Sequence, residues 1–230
     1  EVQLAKAHAP GVDEGVAESL SVAFAALRDL AEQPQAHLSD EARVSYPYSA
    51  RELVKVARHL ERWPRDGLNT VIKNVFAFDA QSPALRLTIS EALTRYGLHP
   101  FVDDDNGDDV DDYELSADSQ LVKVVSRSDE DDDGDATALV RPTLADWDLV
   151  PRINREKGGL SQRLLRALRW MFQKAELRQD MYIICDPGPV GRMLASLFCE
   201  LTNTEAEFVS LSRDTTEADL TQRREIDDGN

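Results

Sequence analysis

A strongly acidic tract between residues 101 and 135 divides this chain of 230 residues into two parts that must fold apart from it. The tract holds fifteen Asp or Glu against only Lys123 and Arg127, and this difference of −13 accounts for most of the formal net charge of −17. Such a composition offers little apolar surface to offset the entropy that a chain loses on folding. We therefore predict a mostly disordered linker over 100–150, in which only 121–125 has the composition of a short strand.

Outside the tract the charges nearly balance, because the rest of the chain sums to about −4 (−17 minus −13). Neither half has the basic face of a nucleic-acid-binding protein, so we expect no nucleic-acid partner. The tract itself suits a basic protein partner. Calcium is an alternative ligand, but an EF-hand loop needs acids at fixed alternate positions, a central Gly and a distal Glu, and that spacing is absent.

Residues 1–99 show the apolar spacing of amphipathic helices, with apolar side chains recurring at i, i+3 and i+4. Ser49 is a good N-cap, with Glu52 as its capping-box partner. Pro83 and Gly97 occupy the start and the C-cap position of a later helix. The pattern predicts a small all-α bundle of four helices, at about 13–31, 50–62, 68–76 and 83–96.

The segment 151–230 has the pattern of the beginning of an α/β domain. Leucines recur at helical spacing over 160–171 with arginines on other faces, which predicts a basic amphipathic helix. The run 181–185, MYIIC, is apolar and of strand length, and a turn, a helix over about 192–201 and a second strand over 208–212 follow. Strand, turn, helix and strand in this order predict a βαβ unit with parallel strands.

The turn after the first predicted strand lies where a P-loop NTPase binds phosphate, because backbone N–H groups and a helix N-terminus converge there. A working loop reads G-x-x-x-x-G-K-[ST], whereas this chain has Asp186 at the first glycine. It retains Gly188 and Gly191, but Arg192 replaces the Lys and Met193 replaces the hydroxyl residue. Arg can meet phosphate, whereas Met cannot bind Mg²⁺.

The candidate nucleotide-binding residues of this turn are Gly188, Gly191 and Arg192, and no residue is assigned a catalytic role. A turn that keeps the shape of an NTPase loop without its chemistry is the favoured interpretation. No metal site is predicted, because Cys185 and Cys199 lie in apolar runs without metal-ligand spacing.

No apolar run approaches the roughly 18 residues needed to span a bilayer. The chain begins with Glu-Val-Gln, so we expect a piece of a longer, soluble intracellular protein.

Two separate stretches resemble one family. They are 46–79, YPYSARELVKVARHLERWPRDGLNTVIKNVFAFD, and about 160–226, of which RLLRALRWMFQK and SRDTTEADLTQRREI are the most similar parts. Both are similar to the family of von Willebrand factor A domain-containing protein 8, large mitochondrial AAA+ proteins related to midasin and dynein. The first stretch resembles the helical lid after the family's last AAA+ module, and the second resembles the start of its first module.

The resemblance implies a helical lid over 1–99 and the start of a further P-loop core over 151–230, and the acidic linker over 100–150 lies between them. It also implies a parent protein that binds and hydrolyses ATP with Mg²⁺, with neighbouring AAA+ modules as partners and a mitochondrial location. Arg51 falls at the sensor-two position, from which an Arg at the start of a lid helix reaches the γ-phosphate. Arg51 therefore joins the candidate nucleotide-binding residues.

Three further residues, Thr215, Thr216 and Asp219, lie where midasin-like modules place a conformationally active loop, and they receive no catalytic role. The order of the two stretches is inverted relative to the family. A tandem duplication, a divergent arrangement and a mis-joined gene model all stay open as explanations. The acidity of the linker is not a feature of the family.

Two functions follow from these observations. The chain is either part of an ATPase that couples ATP binding and hydrolysis to conformational work, with this piece inactive on its own, or a non-catalytic scaffold. In the second case the degenerate turn and the acidic tract serve only for interactions with partners.

Overall fold

The computed structural model describes residues 1–32, 39–43, 48–76, 81–101, 110–115, 121–126, 138–140, 149–153 and 160–221. Its α-helices are α1 (Val2–His8), α2 (Glu14–Glu32), α3 (Ala50–Arg62), α4 (Leu68–Val75), α5 (Pro83–Thr94), α6 (Gln162–Glu176), α7 (Val190–Thr202) and α8 (Glu217–Thr221). Short 3₁₀ turns lie at Asp40–Ala42 and Pro64–Asp66, and the strands are β1 (Val110–Leu115), β2 (Leu121–Ser126) and β3 (Ala138–Val140).

Helices α1 to α5 pack around one apolar core and are here called the N-terminal bundle. The predicted helices of 1–99 are confirmed as α2, α3, α4 and α5, because their apolar stripes turn inward as the spacing requires. Helix α1 was missed, since seven residues are too short to show a helical period, yet Ala5 is fully buried and α1 contacts α3. Side chains central to the core include Leu20, Leu27, Leu53, Val56, Ile72, Ile89 and Leu93.

Helix α3 begins as its capping signal predicts. The backbone N–H of Ser49 donates to Glu52 Oε2 at 2.9 Å, and the Ser49 hydroxyl donates to the same oxygen. The N-cap residue is extended, with φ −108° and ψ 159°, so the chain enters the helix from outside. The capping box stabilises the end of α3 that carries Arg51.

Part of the interval 100–150, predicted as mostly disordered, is an antiparallel sheet in the order β1-β2-β3. The strand expected at 121–125 is present as β2, but its two neighbours were not predicted. The physical reason is packing: Val122 of β2 is fully buried against the apolar face of α6, and Tyr113 of β1 packs on the same cluster. Burial of these apolar side chains offsets the conformational entropy that the segment loses when it is ordered. The acidic composition had suggested that too little apolar surface was available for this. The linker residues 102–109, 116–120, 127–137 and 141–148 lie outside the described part.

In the C-terminal part, α6 and α7 occupy the predicted helical positions and pack against each other. The rings of Phe172 and Phe198 have centroids 5.5 Å apart, and both are buried. Helix α7 ends at Asn203, which adopts the left-handed conformation that Asn tolerates at a C-cap (φ 56°).

The prediction of strands at 181–185 and 208–212 was wrong, because the structure has no strand at either place. Their apolar side chains are exposed instead, with Tyr182 at 90 % and Leu211 at 69 %. Strands of a parallel sheet are buried on both faces, and two of them alone make only a marginal sheet. The predicted βαβ unit is therefore absent from 160–221 as described, although its helix is present.

None of the helices in the described part of the chain combines the length and the apolar character needed to cross a bilayer.

Replacing Leu27 with Ala should lower the free energy of unfolding by about 2–5 kcal/mol, because Leu27 is fully buried and its loss leaves a cavity in the N-terminal bundle. Leu87→Ala is the matched control, since Leu87 on α5 is 62 % exposed and should change stability by less than about 0.5 kcal/mol. Urea denaturation followed by circular dichroism measures both values. Equal effects of the two variants would contradict the assigned core.

Candidate functional site

The turn that leads into α7 lies on the surface. Every residue over 181–190 is exposed, and Pro189 occupies the N-cap position of the helix. Gly188 has φ +152°, a conformation that side chains rarely adopt, so the turn needs glycine at this position. The predicted glycine turn is therefore present as a local structure.

Gly191 lies close to the side chain of Cys185. A Cβ atom at this position would lie 2.5 Å from the Sγ atom of Cys185, which is closer than real Cβ contacts come. The thiol of Cys185 thus lies against the first turn of α7, and the turn folds back onto the helix it precedes.

The side chains of the turn do not fit Mg²⁺-ATP as a working phosphate loop would. The guanidinium carbon of Arg192 lies 5.1 Å from the ring centroid of Phe208, the geometry of a cation–π contact. Met193 follows it and offers no oxygen to a metal ion. Within the described ranges no group of three or more His, Cys, Asp or Glu could hold a metal ion.

Arg51 lies in the first turn of α3 and is exposed. Among the described residues, no hydrogen bond or ion pair joins Arg51 to the turn at 186–192. The C-terminal part of the chain is contacted by the other end of α3, around His59. At 1.5 Å per residue, His59 lies about 12 Å from Arg51 along the helix axis. The structure thus does not bring the four candidate residues into one site.

A buried polar cluster that sequence reasoning missed joins the N-terminal bundle to α6. Asp66 Oδ1 accepts from Arg169 Nη1 at 2.6 Å, and Asp66 Oδ2 accepts from Gln173 Nε2 at 2.8 Å and from His59 Nε2 at 2.6 Å. Lys174 Nζ completes the chain of contacts, at a hydrogen-bond distance of 3.2 Å from His59 Nδ1. We call His59, Asp66, Arg169, Gln173 and Lys174 the Asp66 cluster.

Local sequence positions the carboxylate of this cluster. Helix α3 ends at a fully buried Trp63, and Pro64 starts the 3₁₀ turn at whose end Asp66 lies. Gly67 has φ +73°, which lets the chain leave the turn and begin α4. On α6, Arg169 and Gln173 are four residues apart and so lie on one face, where both reach the same carboxylate.

Burial sets the protonation states of the cluster. Burial lowers the pKa of His59 from its usual 6.5, and the positive charge of Lys174 lowers it further, which together outweigh the hydrogen bond to Asp66. Burial alone would raise the pKa of Asp66, but the hydrogen bond from His59 and the charge of Arg169 hold it below its usual value. Burial and the nearby charge of Lys55 lower the pKa of Lys174 to about 7. The favoured state is an ionised Asp66 beside a neutral His59.

Aromatic rings enclose the imidazole of the cluster. The ring centroid of His59 is 4.7 Å from that of Trp170 and 5.0 Å from that of Trp63, and His59 has no exposed surface. Lys174 Nζ lies 4.0 Å from the Trp170 ring centroid. At the margin, Arg62 and Glu176 form an ion pair at 2.9 Å. The basic face of the predicted helix 160–171 was the one signal in the sequence, but nothing in it named Asp66 as the partner.

Comparisons with known proteins find a family model and a curated relative that are similar to parts of the chain. Residues 180–230 match the model of the AAA domain, dynein-related subfamily. Von Willebrand factor A domain-containing protein 8 of Mus musculus is 37 % identical over 98 residues, which are 43 % of this chain and 5 % of that protein. The chain thus spans a small part of this relative's length, and no solved structure matches it.

Replacing Asp66 with Asn should destabilise the protein by about 3–5 kcal/mol, because the mostly buried Arg169, 17 % exposed, then loses its negative partner. Asp40→Asn is the matched control. Its carboxylate also pairs with an Arg, Arg43 at 2.8 Å, but it is 92 % exposed, and such a pair contributes about 0–1 kcal/mol. The free energies of unfolding in urea compare the two. Equal losses would show that the Asp66 cluster does not hold the fold together.

Proposed function

We infer that the chain is a piece of a multi-module AAA+ ATPase. The matches to the dynein-related AAA domain and to von Willebrand factor A domain-containing protein 8 confirm the resemblance to the family of that protein. The parent protein couples ATP binding and hydrolysis to conformational work. In this proposal residues 1–99 act as the helical lid of one module, 100–150 link it to the next, and 151–230 begin a further core. Neighbouring AAA+ modules are the partners, and the mitochondrion is the proposed location.

We base the proposal that this chain does not hydrolyse ATP on the side-chain chemistry of the turn before α7. Arg192 lies on the ring of Phe208 and Met193 takes the place of the Mg²⁺-binding hydroxyl. Catalysis of phosphoryl transfer rests on positioning the phosphates and the metal ion, and this turn supplies neither function in full. The chain alone is therefore not hydrolytic, and ATP with Mg²⁺ is bound by cores that complete the parent protein.

The described contacts support a mechanical role. The bundle is joined to α6 through Asp66, and α6 packs on α7 through Phe172 and Phe198. The turn at the phosphate-loop position is the start of α7. A displacement of α3 therefore passes through two packed helices to that turn, because packed interiors transmit strain. Arg51, at the capped start of α3, is placed to sense nucleotide in a neighbouring core.

A non-catalytic scaffold is the second candidate, favoured by the charge of the tract over 101–135. Fifteen acidic side chains against two basic ones make a strong field for a basic protein partner. Binding of such a partner would weaken steeply with salt, because exposed charges are screened over roughly 10 Å at 0.1 M ionic strength.

The chain should release no phosphate from ATP above background. Changing Arg192 to Lys together with Met193 to Thr restores the G-K-[ST] end of the loop, and should tighten Mg²⁺-ATP binding at least about tenfold by calorimetry, since one charge-assisted hydrogen bond contributes about 1.5–3 kcal/mol. Arg163→Lys, at an exposed position of α6, is the control and should leave affinity unchanged. Turnover by the unmodified chain would contradict the proposal, whereas no gain in the double variant would favour the scaffold.

Arg51→Ala in the parent protein should lower its ATPase rate by at least about tenfold, because the γ-phosphate then loses a charged hydrogen bond. Arg58→Ala is the control, as Arg58 is exposed on the same helix, two turns away. Steady-state phosphate release measures both rates. A loss shared by both variants would point to damage of α3 and not to nucleotide sensing.

A further inference from the structure

Two contacts of the Asp66 cluster depend on the protonation state of the His59 imidazole. His59 Nε2 lies 2.6 Å from Asp66 Oδ2, and His59 Nδ1 lies 3.2 Å from Lys174 Nζ. An ionised carboxylate can only accept and an ammonium group can only donate, so Nε2 is the donor to Asp66 and Nδ1 is the acceptor from a charged Lys174. An imidazole donates from one nitrogen and accepts at the other only when it is neutral. With Lys174 charged, the contact between α3 and α6 therefore requires the neutral imidazole.

We propose that the Asp66 cluster is a proton-operated latch, which holds α6 against the N-terminal bundle while His59 is neutral and releases it when His59 takes up a proton. Protonation puts an N–H at Nδ1, opposite the ammonium group of Lys174. The hydrogen bond between them becomes a contact between two donors and two positive charges. His59 has no exposed surface, so water cannot screen this repulsion.

The surrounding charges do not relieve the repulsion. The carboxylate of Asp66 is shared, because Arg169 already pairs with its other oxygen at 2.6 Å. A second positive charge, Lys55, faces Lys174 from α3. With His59 protonated, the positive charges of His59, Arg169 and Lys174 would therefore share one carboxylate, with the charge of Lys55 acting on Lys174 as well. The charged groups that act on His59 and Lys174 are Asp66 of the 3₁₀ turn, Arg169 and Lys174 of α6, and Lys55 of α3.

The direction of the pH response follows from linkage. The pKa of His59 is lower in the folded chain than its usual 6.5. A group whose pKa is lowered by folding stabilises the fold fully when the pH is above its pKa in the unfolded chain. That contribution is lost as the pH falls through its pKa in the folded chain. The latch therefore holds at neutral pH and opens in acid. Lys174, with a pKa of about 7, is already positive in the range where His59 takes up its proton.

The latch is independent of nucleotide, since none of its groups belongs to the turn before α7. Amide hydrogen exchange of the whole chain tests it without ATP. Between about pH 7.5 and about pH 5, and after correction for intrinsic exchange rates, protection of α6 over Gln162–Glu176 should fall about tenfold, the effect of 1.4 kcal/mol. Protection of α2 over Glu14–Glu32 should stay constant, and the ring signal of His59 in NMR should titrate over the same range as α6 opens.

Two variants separate the titration of His59 from the opening of the latch. Lys174→Met removes the positive charge opposite Nδ1, so His59 should titrate at higher pH while the loss of protection in α6 is abolished. His59→Gln keeps one donor and one acceptor but has no proton to gain, and α6 should then show equal protection at both pH values. His99→Gln is the control, because His99 is exposed at the end of the N-terminal bundle and should retain the full response.

The proposal is overturned if α6 of the unmodified chain is equally protected at both pH values, or if His59→Gln still loses protection in acid. If His59→Gln does not fold, Lys174→Met decides: acid opening of α6 that persists without the lysine charge overturns the latch.

Discussion

The ion pair and hydrogen bonds of Asp66 are the constraint on which the connection between the two halves of the chain depends. A carboxylate buried to this extent persists as an ion only when donors surround it, and Arg169, Gln173 and His59 supply them. Two of these donors come from α6, more than 100 residues further along the chain. Removing the carboxylate would leave a buried guanidinium behind, so the cluster specifies how α6 sits on the bundle.

Apolar packing extends that connection toward the turn before α7. Helix α6 contacts the bundle with its polar face, and covers Val122 of the sheet and the ring of Phe198 with its apolar face. An amphipathic helix with partners on both faces cannot move without disturbing both. Under the proposed function, this arrangement would be a physical route from the lid to the core, and protonation of His59 would interrupt it.

The helices of the bundle were predicted well, whereas among the strands only β2 was, for a physical reason. A helical period is local, so Ser49, Glu52 and the apolar stripe of α3 define the helix wherever it lies in the fold. A strand exists only through its partner. The apolar run at 181–185 has the composition of a buried strand but stays exposed, whereas the acidic β1 is ordered because β2 pairs with it and α6 covers Val122.

The sequence by itself determined the helices of the bundle and the side-chain chemistry of the turn before α7, because Arg192 and Met193 offer a guanidinium and a thioether whatever the fold. It also places glycine at 188 and 191. The thiol of Cys185 beside Gly191 is visible only in the structure. Only the tertiary structure decided that Asp66, His59 and Lys174 meet. Their pKa values depend on burial and on neighbours distant in the chain, and no local pattern records either.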